Sequence, residues 1–317
     1  MPLTRLFFAT DLHGSDVCFR KFLGAARFYE ANVLVVGGDI TGKEIIAVLE
    51  QPDGSYTATI QGRPRRAKGK EELEKLEQSI SDLGSYPYRT NESEMETLPA
   101  SKAKLDQLFS QLMTDRLRRW IELAEKHLKN THVKCYVCPG NDDKFEIDSV
   151  LNSSDYVVNP DGKVIPLDDA HEMISVGYAN MTPWKCPRDI SEDELNKKIE
   201  VLVGQVKNLS NCVFNFHCPP FDTGIDTAPH LDENLKPVFK AGEVEMIPVG
   251  STSIRDAIQR YQPLLGLHGH IHESKGFFRI GRTLCLNPGS EYAEGMLRGV
   301  LINLHEKGFK NYMLTTG

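Results

Sequence analysis

Residues 3–13 read Leu-Thr-Arg-Leu-Phe-Phe-Ala-Thr-Asp-Leu-His, and residues 33–39 read Val-Leu-Val-Val-Gly-Gly-Asp. Each is a short apolar run that stops abruptly at polar residues, the pattern of a buried strand whose end reaches the rim of a sheet. Between the two runs Phe19, Phe22, Leu23 and Ala26 recur at helical spacing, with Ser15 or Asp16 placed to cap, so Val17 to Glu30 is predicted to be a helix. The chain therefore opens with a β-α-β unit and belongs to the α/β class.

The same pattern repeats further along. Val133–Val137 leads into Pro139-Gly140-Asn141, Cys212–Phe216 ends at His217, and Leu264–Leu267 ends at His268. Ser101 starts the longest helix, with Leu105, Leu108, Phe109, Leu112, Leu117, Trp120, Ile121, Ala124 and Leu128 forming one broad apolar face. Ser191 and Glu194 make a capping box for a helix expected to run to about Asn208. Ser251 caps a short helix that stops before Pro263, and the tail from Phe277 reads as strands with Gly-rich turns. Residues 43–100 differ in character. They hold a short hairpin at Ser55–Gln61, a basic loop, a charged helix from Lys70 to Leu83 and a polar stretch ending at Pro99. An excursion of this length inside a compact domain is expected to be a cap or lid, so 1–317 reads as one domain carrying an insertion.

At 317 residues the chain can bury a large core without disulfides. Its 40% hydrophobic and 26% charged content excludes the disordered and fibrous classes. The net charge of −7 argues against a general nucleic-acid or membrane binder, because such binding draws on clustered Lys and Arg. No apolar run approaches the roughly 18 residues of a membrane span, and Asp11 follows the first apolar stretch at once, so a cytoplasmic location is expected. The seven cysteines are an odd number without a disulfide-like spacing, and Cys135 and Cys138, lacking a second pair, read as buried thiols.

Five polar clusters each follow an apolar strand directly: Asp11-Leu12-His13, Gly38-Asp39, Gly140-Asn141-Asp142, His217-Cys218-Pro219-Pro220 and His268-Gly269-His270-Ile271-His272. In α/β sheets ligands bind beyond the carboxyl ends of the strands, so these residues can converge. One His or Asp at a strand end is ordinary; five clusters of this kind are not. They supply Asp, Asn and His without a nucleophile paired to a base, a donor set for first-row divalent ions. Two Asp, one Asn and four His suffice for two ions sharing a carboxylate. Ions about 3.5–4 Å apart can hold a hydroxide and clamp a phosphoryl oxygen, which describes phosphoester hydrolysis. A competing motif, Gly37 to Lys43, has phosphate-loop spacing but continues with Glu44 where a hydroxyl is required, and it carries Asp39 where backbone N–H groups should cradle an anion. Arg63, Arg65, Arg66, Lys68 and Lys70 form a basic run that is either a solvated loop offset by Glu71, Glu72 and Glu74 or a cap contacting a phosphorylated substrate.

The order D-x-H, G-D, G-N, H, G-H-x-H over residues 11–272 resembles the calcineurin-like metallophosphoesterase superfamily. The resemblance implies two packed mixed β-sheets flanked by helices, a four-layer sandwich, here with an inserted cap. It implies that Asp11, His13 and His272 bind one metal, that Asp39 bridges, and that Asn141, His217 and His270 complete the second. The ions are expected to be divalent transition metals, manganese first, with Fe, Zn, Ni or Co as alternatives. The implied substrate is a phosphomonoester or phosphodiester of a small molecule or nucleotide, while a nuclease and a metal-binding scaffold without turnover are the competing readings. Asn-Pro-Gly-Ser at 287–290 also resembles a segment of the smaller phosphodiesterase-like branch. One departure matters: the superfamily usually has a His after the Asn, where it contacts substrate and protonates the leaving group, and this chain has Asp142. A carboxylate beside two cations is a poor proton donor at neutral pH, so Asp142 is expected to favour good leaving groups, or water, His230 or His171 to supply the proton.

Overall fold

The computed structural model describes residues 3–97, 101–306 and 308–317; Pro99, the expected end of the polar stretch, lies outside them. The opening unit forms as expected, with β1 (Thr4–Ala9), α1 (Asp16–Phe28) and β2 (Val33–Val36). Ser15 caps α1 by accepting a hydrogen bond from the Cys18 N–H. An inserted segment follows: β3 (Ile45–Glu50), β4 (Ser55–Ile60), β5 (Arg63–Lys68), α2 (Gly69–Asp82), β6 (Tyr86–Thr90) and α3 (Glu92–Thr97). The chain then returns through α4 (Lys102–Leu128), β7 (Lys134–Val137), α5 (Glu146–Leu151) and β8 (Val157–Val158). A second half contains β9 (Val164–Pro166), β10 (Glu172–Val176), the short pair β11 (Ala179–Asn180) and β12 (Asp189–Ile190), α6 (Glu192–Val203) and β13 (Cys212–Phe216). Small ribbons β14 (Thr227–Pro229), β15 (Phe239–Lys240), β16 (Glu243–Val244) and β17 (Met246–Pro248) precede α7 (Thr252–Tyr261). The fold closes with β18 (Leu265–Leu267), β19 (Gly276–Ile280), β20 (Thr283–Asn287), β21 (Arg298–His305) and β22 (Gly308–Thr316).

Two six-stranded mixed sheets result, ordered β22-β21-β1-β2-β7-β8 and β19-β20-β18-β13-β10-β9. Alternation along each strand explains how they stack. Leu6, Phe8, Val33 and Val35 share a core with Val213, Leu265, Leu267 and Leu286 of the second sheet. Their neighbours Phe7, Ala9, Leu34 and Val36 face the opposite way, packing with Phe19, Phe22, Leu117 and Trp120 of α1 and α4. On the far side, Ile174, Val176, Phe214 and Phe216 pack with Leu195, Ile199, Ile254 and Ile258 of α6 and α7. Strands covered on both faces read as unbroken apolar runs, which makes them legible in the sequence. Fully burying each such side chain contributes about 1.5–3 kcal/mol. The outcome is the four-layer sandwich of two mixed sheets flanked by helices.

The insertion is better built than its sequence suggests. The basic stretch is a strand, β5, at the edge of a four-stranded sheet ordered β5-β4-β3-β6. It shows no apolar alternation because Ala67 alone of its residues is buried; its Arg side chains point into water from an edge position, where cations also discourage further strand pairing. The expected hairpin is therefore β4 with β5, paired from Ser55 beside Lys68 to Ile60 beside Arg63. Leu73, Leu76 and Ile80 of α2 close a separate small core over Ile46, Val48 and Ala58. Two further expectations need correction. The first turns of α4 project beyond the core, leaving Leu105 38% exposed. The helix begun by the Ser191 capping box stops at Val203 with Gly204 as its C-cap, and Leu209–Asn211 forms a separate 3-10 turn before β13. The residues after β2 enter β3 rather than a helix, so the phosphate-loop motif lacks its required helix N-terminus. Cys135 and Cys138 are buried free thiols, and no helix among the described residues is long and apolar enough to cross a membrane.

Candidate metal centre

Three adjacent parallel strands of the first sheet, β1, β2 and β7, end beside two adjacent parallel strands of the second, β13 and β18. The turns beyond these five ends carry Asp11 and His13, Asp39, Asn141 and Asp142, His217, and His270 and His272. Backbone hydrogen bonds tie the turns together: Asp11 N–H to Gly38 O at 2.9 Å, His13 N–H to Asp39 O at 3.0 Å and Gly269 N–H to His217 O at 2.9 Å. Asp11, His13, Asp39 and His270 have φ of 54°, 41°, 47° and 67°. Left-handed backbone costs a non-glycine residue roughly 1–2 kcal/mol. Four such residues at one rim are strain concentrated where side chains must be aimed inward.

Two triads stand side by side. Asp11, His13 and His272 form one and Asp39, His217 and His270 the other, each with its donor atoms within 4.8 Å of one another. Asp39 touches both, its Oδ2 lying 3.7 Å from His13 Nε2 and its Oδ1 3.4 Å from His217 Nε2. A third grouping, His13 with Asp39 and Asp142, overlaps them at the mouth. The Nε2 atoms of His13 and His272 face one another at 3.1 Å, and His272 Nε2 lies 3.3 Å from Asp11 Oδ1. Asn141 donates its amide to Asp189 Oδ1 at 2.8 Å, which leaves its buried Oδ1 without a partner. Nδ1 of fully buried His217 also lacks a hydrogen-bond partner, while its Nε2 faces Asp39 Oδ1 at 3.4 Å. Buried polar atoms are rarely left orphaned, so this donor set fits cations of the kind His, Asp and Asn oxygen select.

The electrostatics agree. Burial would raise the carboxylate of Asp39, but His217 and His13 beside it hold it well below the usual range. Burial likewise opposes ionisation of Asp11, and His272 and His217 outweigh it. Burial pushes His13 and His270 down to about 4, so each ring is neutral and offers one nitrogen lone pair at neutral pH. For His217 burial is overcome by Asp39 and Asp11, which lift it to about 9.

Six of the seven expected ligands thus converge in the two triads, and Asn141 stands in the β7 turn beside Asp142. Asp142 is at its mouth: its N–H donates to Asp39 Oδ1 at 3.0 Å and its carboxylate pairs with Lys43 Nζ at 2.6 Å. The two histidines considered as proton donors are engaged elsewhere. His230 pairs through Nδ1 with Glu245 at 2.7 Å, and His171 with Asp168 at 2.9 Å. His268 turns its Nδ1 to the carbonyl oxygens of Phe216 and Cys218 and is not part of either triad.

Several participants escape a reading of the sequence. Asp143, fully buried, accepts hydrogen bonds from the N–H groups of Ile40, Thr41 and Gly140 and from the Thr41 hydroxyl, and so pins the β2 turn to the β7 turn. Its one sequence signal is its place directly after Asp142, as a second acid in a turn. Tyr292 lays its ring against His13 with centroids 4.7 Å apart, and Ser290 donates to the Asp11 carbonyl at 2.7 Å. A cleft of about 460 Å³ runs from His272 past Ser290, Glu291 and Tyr292 to Lys275 and Arg298. Gln61, at the β4–β5 turn, donates to Ala293 O at 3.2 Å, so the tip of the insertion rests on the wall of this cleft.

No family model matches the chain. Two solved structures share its fold across nearly the whole length. One has 16% identity and a TM-score of 0.58, covering 99% of both chains. The other, TT1561 of Thermus thermophilus, has 12% identity and a TM-score of 0.52, covering 100% of this chain and 99% of that one. A stretch of 171 residues, 53% of this chain, is 33% identical to an uncharacterized protein, MJ1162 of Methanocaldococcus jannaschii, and covers 70% of it. At that identity and coverage the chain belongs to the same family as MJ1162.

Proposed function

We propose that this chain is a dinuclear metal-dependent phosphoester hydrolase of the calcineurin-like superfamily, acting on a phosphomonoester or phosphodiester of a small molecule or nucleotide. The observation that carries the reading is the sharing of Asp39 between two complete triads, Asp11–His13–His272 and Asp39–His217–His270. Asp11, His13 and His272 would hold one ion, His217, His270 and Asn141 the other, with Asp39 between them. Bound there, divalent ions supply Lewis-acid charge and make water nucleophilic at neutral pH. Manganese is the first choice, with Fe, Zn, Ni or Co equally suited to these donors.

The chain's own residues do the rest. Asp189 orients the Asn141 amide, Asp143 holds two of the ligand-bearing turns in register, and Tyr292 shields the face of His13. The open cleft beside His272 offers room for the non-phosphate part of a small substrate. The net charge of −7 favours a compact anionic substrate drawn in by the ions over a long nucleic-acid groove. The test is metal analysis of the purified protein with turnover of an aryl phosphodiester, an aryl phosphomonoester and nucleotides in added manganese. Two bound ions with hydrolysis support the reading; two ions with no hydrolysis of any of these would make the chain a binding scaffold.

A further inference from the structure

In the sequence Lys43 stands out only as part of a phosphate-loop lookalike, yet the fold brings it to the mouth of the metal centre. Its ammonium lies 2.6 Å from Asp142 Oδ2, and Asp142 is itself bound through its N–H to Asp39, the carboxylate shared by the two triads. The Lys43 side chain is 50% exposed and that of Asp142 28%, so the pair stands between the buried ligands and solvent. The Asp142 carboxylate has its donor atom within 4.8 Å of those of His13 and Asp39, which places the pair at the His13 side of the centre. An ammonium has three N–H donors, and Asp142 takes one.

We propose that Lys43 grips a phosphoryl oxygen of the substrate, with Asp142 fixing where it points. This inference rests on the hydrolase reading. The ammonium donates hydrogen bonds and transfers no proton. A surface lysine would have no carboxylate tying it to the shared ligand. A lysine serving only to cancel the charge of Asp142 would have nothing left to do once that charge is removed.

That difference sets the experiment. Binding of inorganic phosphate to the manganese-loaded protein is measured by calorimetry for wild type, Lys43→Met, Lys43→Arg, Asp142→Asn and the double variant Lys43→Met/Asp142→Asn, with metal content and thermal melting recorded for each. Loss of a charge-assisted hydrogen bond predicts phosphate binding weakened about tenfold or more in Lys43→Met. KM for an aryl phosphodiester should rise in parallel, two ions should be retained, and Lys43→Arg should keep most of the affinity. The double variant should stay weak. Wild-type affinity in Lys43→Met, or its recovery in the double variant, would overturn the proposal while leaving the hydrolase reading intact. If loaded wild type neither binds phosphate nor hydrolyses any phosphoester, the hydrolase reading falls first and takes this inference with it.

Discussion

Gly38 has no side chain because His217 fills the space one would need: a Cβ at Gly38 would lie 2.1 Å from His217 Nδ1, and φ there is 148°. The closeness lets the β2 turn of one sheet meet the β13 turn of the other, so a backbone property of residue 38 sets the position of a candidate ligand 179 residues later. Gly38→Ala should push the imidazole aside and leave the Asp11–His13–His272 triad in place. The expected result is a fall from two bound ions to one, with a stability loss of about 1–3 kcal/mol from overpacking and backbone strain. Metal analysis alongside thermal melting checks it, and two ions held at wild-type affinity would contradict it.

Asp143 binds no metal candidate directly, but it satisfies three backbone N–H groups and a hydroxyl in a fully buried position. Asp143→Ala orphans these donors, and each costs about 1–3 kcal/mol when left unpaired. Loosening the supports of ligands typically lowers metal affinity about 10–100-fold. Urea denaturation and manganese titration should therefore both respond, with Asp143→Asn falling between alanine and wild type. A stable alanine variant with unchanged affinity would show that the turns hold their register without this carboxylate.

The protonation states of the metal-free fold predict how metal binding depends on pH. His13 and His270, buried and pushed down to about 4, are neutral at pH 7 and ready to donate lone pairs. His217 differs: despite burial, Asp39 and Asp11 lift it to about 9, so at pH 7 it carries a proton that a cation must displace. Loading at pH 7 should therefore release at least one proton, and affinity should climb with pH until about 9 before levelling. Calorimetry in buffers of different ionisation enthalpy counts the protons; a count of zero would refute the assignment of His217.

Much of this centre is legible in the sequence because its ligands end strands that are buried on both faces. Phe7-Phe8-Ala9 and Val33–Val36 have no solvent side, so their apolar runs are continuous and the first polar residue after each marks the rim. What stays hidden has the opposite character. Strand β5 is an edge with one buried side chain, Ala67, so its sequence carries the composition of a loop. Asp143 and Lys43 act through partners 103 and 99 residues away, Ile40 and Asp142, and no local pattern encodes such a contact. Asp142, which breaks the resemblance, is visible from sequence, but its pairing with Lys43 needs the fold.

Arg116 shows how the insertion is fastened to the centre, and it gives the last prediction. It sits within the apolar face of α4, 2% exposed, where a sequence reading expects a hydrophobe. Its guanidinium donates to Gly14 O at 2.6 Å, on the turn that carries His13, and to Ser81 Oγ at 2.9 Å and Ser85 O at 3.2 Å, at the junction of α2 and β6. Asp16 Oδ1 lies 3.4 Å away, and the Tyr86 ring lies 5.2 Å beneath. One fork thus ties the ligand turn, α4 and the insertion together, a task suited to a planar group with five fixed donors and beyond the reach of lysine's single ammonium. Arg116→Met preserves the stem but takes the donor away from the buried carbonyls of Gly14 and Ser85, at about 1–3 kcal/mol for each left unpaired. The loss should fall first on the insertion, because its own core is small and this junction is one of its ties to the sandwich. Hydrogen exchange should quicken in α2 and β6 while β1, β2, β13 and β18 stay protected, and Arg116→Lys should behave like methionine. Uniform loosening of both sheets, or protection unchanged in α2, would mean that the insertion is held by other contacts.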